Sequence, residues 1–181
     1  TGLDLKADVI AKCSAAAKRY SYDSLKFERG DIAEYDANAP ADMVVTLHAC
    51  DTATDYALHN AICRGARMIL SVPCCQHELN GQIASDKLKL ITRYGIIKER
   101  FAALMTDAIR ANLLESRGYK TQVLEFVDLS HTPKNLLIRA IKKRPALDNA
   151  GRIALDEAKA LMEEFSLEPT LYSLLKPHSP D

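Results

Sequence analysis

The sequence predicts an α/β fold, a mostly parallel sheet with helices on both faces that finishes in an antiparallel hairpin. Three observations predict it. Apolar, strand-like runs alternate with segments of helical period from Leu3 to Ile109. The run Met43–Leu47, MVVTL, is almost continuously apolar, as expected of a strand buried on both faces of a parallel sheet. Past Gly118, KTQVLEFVDL (Lys120–Leu129) and NLLIRAIKK (Asn135–Lys143) are separated only by Ser130–Lys134. No crossover helix fits between them, so they pair as antiparallel neighbours.

The elements follow in order. Leu3 and Leu5 flank the end of a first strand at Asp4 and Lys6. Val9, Ile10, Cys13, Ala17 and Tyr20 recur at helical spacing and predict an amphipathic helix over about 7–21. LKFE (Leu25–Glu28) is a short strand running into RGDI. After Met43–Leu47, Thr52 and Asp55 form the T-x-x-D pattern of a capping box. Ala53, Ala57, Leu58, Ala61 and Ile62 are the buried stripe of that helix, and Gly65 stands where a C-cap glycine belongs. Arg67–Val72 is a further strand, stopped by Pro73. Phe101, Leu104, Met105, Ala108 and Ile109 mark a helix ending near Gly118. A last helix spans about 150–165, with Ala154, Ala158, Leu161, Met162 and Phe165 on one side, and the KPHSPD tail frays.

At 181 residues the chain is long enough for one domain with a real core. Lys+Arg and Asp+Glu balance at 24 each, so net charge offers no argument for a nucleic-acid partner. The basic run Lys142, Lys143, Arg144, with Lys134 and Arg139 nearby, reads more readily as the solvated end of a strand than as a phosphate contact. No apolar run reaches membrane-spanning length, and the opening TGLDLKADVI lacks the layout of a signal peptide. Five cysteines, two of them adjacent, make a poor disulfide framework and point to a reducing, cytoplasmic setting.

In an open α/β sheet, ligands bind outside the carboxyl ends of the strands. Those ends deliver Asp4; Gly30, Asp31 and Ile32; His48, Cys50 and Asp51; and Cys74, Cys75, Gln76 and His77. Asp4 either accepts hydrogen bonds from ribose hydroxyls or caps the helix that follows. Asp31, beside Ile32, either accepts from an adenine amino group or serves the turn after Gly30. Helix capping accounts for Thr52 and Asp55 and can account for Asp51, but not for His48 and Cys50. Transfer of a methyl group from a sulfonium needs a nucleophile held in line and a group that takes its proton, roles open to His48 and Asp51. Cys50, Cys74, Cys75, Gln76 and His77 would then line the acceptor pocket. A metal held by His48, Cys50, Cys74 and His77 is the alternative, although H-x-C and C-C-x-H are not standard zinc spacings. Cys13 and Cys63, on helices, read as small packed thiols.

GLDLKADVI, LHACDTATDYAL, ILSVPCCQHEL and HTPKNLLIRA resemble a bacterial family of class I S-adenosylmethionine-dependent methyltransferases. The Cys-Cys-x-His element is also similar, more weakly, to a eukaryotic tRNA 2′-O-methyltransferase family. The resemblance covers about residues 1–145, leaving 146–181 as a C-terminal helix and tail. It implies a Rossmann-like sheet and S-adenosylmethionine as cofactor. It further implies cofactor contacts from Asp4, Asp31, Ile32 and Leu47, a catalytic-side loop at His48–Asp51, and RNA as the favoured acceptor. Family members carry a first strand and a glycine-rich loop ahead of the segment that opens this chain. These 181 residues contain no G-x-G. The expectation is therefore the C-terminal portion of a methyltransferase domain, binding cofactor weakly or not at all alone and inactive by itself. A gap beside Met43–Leu47 would leave an apolar edge open to self-association. A metal-stabilised, non-catalytic RNA-binding module is the competing expectation.

Overall fold

In a computed structural model, the chain folds as two compact units, Thr1–Asn38 and Ala39–Asp181. The structure describes residues 1–35, 39–47, 49–125, 127 and 136–176. His48, the Ser130–Lys134 turn and the end of the tail lie outside the described residues.

The first unit is a β-α-β element. Strand β1 (Gly2–Asp4) leads into helix α1 (Ala7–Arg19), which returns to β2 (Phe27–Arg29), parallel to β1. Lys18 and Arg19 in the last turn of α1 complement its dipole. Ala17 is the buried member of the expected stripe, with Val9, Ile10 and Cys13 half-buried and Tyr20 exposed. The register sets Asp4 opposite Arg29, and the Gly30 N–H donates to the Asp4 carbonyl at 3.1 Å. The two strands therefore end side by side, on Asp4 and on Gly30–Asp31.

The second unit holds a mixed sheet in the order β3-β4-β6-β5, made of β3 (Met43–Leu47), β4 (Met68–Val72), β5 (Tyr119–Glu125) and β6 (Leu136–Lys142). β3 and β4 are parallel, and β6 runs antiparallel to both β4 and β5. β5 and β6 pair antiparallel as expected, but the mostly parallel sheet does not appear among the described strands. β6 inserts between β4 and β5, so two of the three pairings here are antiparallel, and the described strands form two sheets. Helix α2 (Thr52–Cys63) crosses from β3 to β4. A short α3 (His77–Gln82), a 3-10 turn (Asp86–Leu88) and a short α4 (Lys89–Thr92) lead into the long α5 (Gly95–Ser116). Helices α6 (Asn149–Glu164) and α7 (Thr170–Leu175) finish the described chain. No described helix is long and apolar enough to cross a membrane.

The core gathers Leu58 and Ala61 of α2, Ile69 of β4, Leu79 of α3, Ile109, Leu113 and Leu114 of α5, Ile138 of β6 and Leu171 of α7. α6 packs on α5 through Ala154, Ala158 and Met162, and α7 packs on α2. Tyr119 is fully buried and its hydroxyl donates to the Ala66 carbonyl at 2.8 Å, which joins the start of β5 to the α2–β4 turn.

β3 departs from expectation. Val44 and Thr46 turn inward, and Thr46 Oγ1 donates to Ser71 Oγ on β4 at 2.8 Å. Met43, Val45 and Leu47 on the opposite side are 55%, 50% and 58% exposed. Among the described residues β3 pairs with β4 alone and ends the four-stranded sheet, and only its face of Val44 and Thr46 is packed, so a run that reads as doubly buried is covered on one face.

The T-x-x-D capping box does not form either. Asp55 is 1% exposed and faces Arg110 of α5, while Asp51 occupies the N-cap position without a side-chain cap bond. Thr54 Oγ1 instead bonds the Ala49 carbonyl. The other end of α2 agrees with its sequence. Gly65 has φ +65°, its N–H bonds the Ile62 carbonyl, and the Ala66 N–H reaches back to Ala61, a Schellman closure.

Candidate functional site

The candidate site lies at the carboxyl ends of β3 and β4. After β3 the chain passes through Cys50 and Asp51 into α2; after β4, Pro73 ends the strand and Cys74, Cys75 and Gln76 lead into α3. Because the strands are parallel and in register from Met43↔Met68 to Leu47↔Val72, both exits emerge on the same side.

An ion network centred on Arg110 fixes the two loops. Arg110 Nε donates to Asp55 Oδ1 at 2.9 Å and Nη2 to Asp55 Oδ2 at 2.6 Å, a bidentate fork. Nη1 reaches Asp107 Oδ1 at 3.2 Å, and Nη2 also reaches the Asp51 carbonyl at 3.0 Å. Gln76 Nε2 donates to Asp107 Oδ2 at 3.0 Å. The arginine and both carboxylates are at most 3% exposed along their side chains. Burial pulls the guanidinium pKa down, but Asp55 and Asp107 more than offset it and leave Arg110 firmly charged. Burial raises the Asp107 pKa despite the opposing pull of Arg110 and Gln76.

A second set of bonds runs through Asp51. The Glu78 N–H donates to Asp51 Oδ1 at 3.0 Å, joining the β3 exit to α3. Glu78 in turn accepts from the Thr170 N–H at 3.1 Å and from Thr170 Oγ1 at 2.6 Å, which brings in α7. Asp51 has φ 54° and ψ −124°, a backbone conformation that non-glycine residues rarely adopt. Such strain persists where the surroundings over-determine it, and here Arg110 holds the carbonyl while Glu78 holds the carboxylate.

The braced loops bring three sulfurs together. Cys50 Sγ lies 3.3 Å from Cys74 Sγ, Cys75 Sγ lies 3.7 Å from Cys74 Sγ, and all three fall within 4.8 Å of one another. Cys50 is exposed and the other two are half-buried. Desolvation, with the two neighbouring thiols, pushes the Cys74 pKa up to about 12. None of the chain's cysteines is disulfide-bonded.

The remaining expected site residues divide between the units. In the first, Asp4 Oδ1 accepts from the Lys6 N–H at 2.7 Å and Asp31 Oδ1 from the Ala33 N–H at 2.9 Å. Each carboxylate keeps its second oxygen clear of hydrogen bonds to described residues. Two carboxylates thus stand at neighbouring parallel strand ends, with Ile32 half-buried beside one. In the second unit, Leu47 closes β3 with its side chain exposed, and His77 opens α3, also exposed and outside the sulfur cluster. Cys63 is exposed at the end of α2 with Sγ 3.5 Å from His59 Nε2, so it is not the packed thiol expected. Nor is the basic run at 142–144 a free cationic stripe. Lys142 bonds the Arg117 carbonyl and lies over the Tyr119 ring, and Arg144 pairs with Asp148 and Glu115. An open groove lined by Asp42, Met43, Arg67 and Lys142 sits at the opposite ends of β3 and β4, away from the sulfurs.

Sequence reasoning missed the Arg110 network. Asp107 and Arg110 stand three apart and so share one helix face, but that face lies away from the Phe101, Leu104, Met105 and Ala108 stripe, so the period of α5 gave no sign that they would be buried.

A family model described as a methyltransferase domain matches residues 1–82, which take in the whole first unit, β3, α2, β4 and both thiol-bearing loops. No curated protein and no solved structure matches the chain.

Proposed function

We propose that the chain takes part in S-adenosylmethionine-dependent methyl transfer, with RNA as the acceptor class. The observation that carries the reading is the methyltransferase-domain match over residues 1–82, which includes every expected site residue. The cofactor, when bound, supplies a methyl group already activated on a sulfonium. The chain's own residues bind and orient. In the first unit Asp4 and Asp31 offer carboxylate oxygens to the nucleoside's hydroxyls and amine. In the second, Asp51 has one oxygen tied to Glu78 and the other clear of described partners, and so can accept a proton or hydrogen bond from an acceptor group. His48 is the other candidate for that proton. RNA as acceptor rests on the similarity of the Cys-Cys-x-His element to tRNA 2′-O-methyltransferases.

Equilibrium dialysis with radiolabelled cofactor tests the binding half. Losing one charge-assisted hydrogen bond costs about 1.5 kcal/mol or more, so Asp4→Ala and Asp31→Ala should each weaken binding roughly tenfold. Unchanged binding in the double variant would sink the assignment. Label transfer to RNA tests the acceptor half, and transfer that persists in Asp51→Ala with His48→Ala would remove those two residues from the reaction.

A further inference from the structure

We propose that Cys50, Cys74 and Cys75 form a three-thiolate site for a thiophilic d10 cation, zinc above all. The inference stands on the sulfur geometry and is independent of the methyl-transfer reading. Sulfurs bound at about 2.3 Å around a tetrahedral zinc lie roughly 3.8 Å apart. The Cys74–Cys75 pair is at 3.7 Å and the Cys50–Cys74 pair at 3.3 Å. All three sulfurs lie within 4.8 Å of one another, so one ion can touch all three after shifts of about half an ångström to an ångström.

Two further observations favour a cation over thiols that merely pack. The sulfurs come from two different strand exits, and both exits are fastened by the one network that joins Arg110, Asp107 and Glu78. Asp51 is held by Arg110 and Glu78, and Gln76 by Asp107. A donor set whose backbone is already held loses little freedom on binding an ion. Cys50 is exposed, which gives an ion a way in. A disulfide would use two of the sulfurs and leave the third unexplained. Binding exchanges thiol protons for the cation and releases them to solvent, so no electrons move.

The test uses the reduced, chelator-stripped chain titrated with cobalt(II), then with zinc as competitor. The expected result is a thiolate-to-cobalt charge-transfer band that saturates stoichiometrically and is abolished by zinc. Cys74→Ser and Cys50→Ser should each weaken binding by more than the roughly 10–100-fold that changing a ligand's outer partner costs. Cys63→Ser and His77→Ala, outside the cluster, should leave the titration unchanged. Far-UV circular dichroism of each metal-free variant separates a lost ligand from a lost fold. A zinc-induced rise in Tm in the unmodified chain but not in Cys50→Ser reads the same site without cobalt. No charge-transfer band in the unmodified chain would overturn the proposal. So would a band that survives Cys74→Ser in a folded variant, or mild peroxide closing a Cys50–Cys74 disulfide while cobalt binding stays intact.

Discussion

At the residue scale, the arginine at the centre of the second unit carries most of the consequence. Arg110 faces two carboxylates, so the buried group as a whole holds one negative charge more than it needs. The two acids are therefore unequal. Asp55 supplies both oxygens of the fork, and Asp55→Ala takes both of those bonds from a guanidinium that is 2% exposed, leaving it the longer contact to Asp107 and the Asp51 carbonyl. Removing one partner of a buried pair is expensive, so that variant should lose about 3 kcal/mol in urea denaturation. Asp107 is the surplus acid, and Asp107→Asn keeps the shape and an acceptor for Arg110. Its folded pKa is raised above 3.8, which means that the native state binds that proton more tightly than the unfolded chain. Its contribution is accordingly greatest below 3.8 and is lost as pH rises through the folded value. The expected outcome is that Asp107→Asn matches the unmodified chain most closely below 3.8, gains on it as pH rises from there through the folded value, and stays level above it. A stability difference that is flat with pH would show that Asp107 is not held as described.

At the element scale, the ends of helices decide what each segment can do. Gly65 and Gly118 both have positive φ, yet they are not equivalent. A Cβ on Gly65 meets nothing within 4 Å, so Gly65→Ala should cost only the left-handed penalty, about 1 kcal/mol. A Cβ on Gly118 would stand 2.1 Å from the Arg144 carbonyl oxygen, where the turn between α5 and β5 meets the chain leaving β6. Gly118→Ala should lose at least twice as much, and paired denaturation curves would show it. Both glycines were legible as helix stops, as were the hairpin partners β5 and β6, the α6 stripe and the Met43–Leu47 strand. These signals are local and repeat with the period of the element. What was not legible depended on contacts between distant segments. Asp55 fits a capping box by spacing, but a buried arginine 55 positions away claims it. α7 is a six-residue turn whose Leu171 owes its burial to α2 and the core, and no period is visible over so short a run. Cys50, Cys74 and Cys75 could be named from the sequence as residues at strand exits. That they converge, and that exposed His77 stands apart from them, follows from the in-register pairing of β3 and β4, which the sequence does not print.

At the scale of the whole molecule, the edge of the sheet and the charge balance act together. Among the described residues β3 pairs on one side only, and Met43, Val45 and Leu47 present an exposed apolar row along it. An exposed apolar edge is a template for a second chain, and proteins usually blunt it with charge. Here the chain as a whole carries 24 basic and 24 acidic residues, so long-range repulsion does nothing to keep copies apart. The expectation is self-association that rises with concentration in multi-angle light scattering. Val45→Lys places a charge at the centre of the row, and Val45 is half exposed, so the change should alter stability by no more than about 0.5 kcal/mol. The same substitution at buried Ile138, in the middle of the sheet, would unfold the unit and serves as the contrast. If β3 is the contact, Val45→Lys shifts the mass toward the monomer with its melting curve nearly unchanged. If the unmodified chain is already a monomer at high concentration, the edge is not used this way. Association that persists in Val45→Lys would move the contact to another surface.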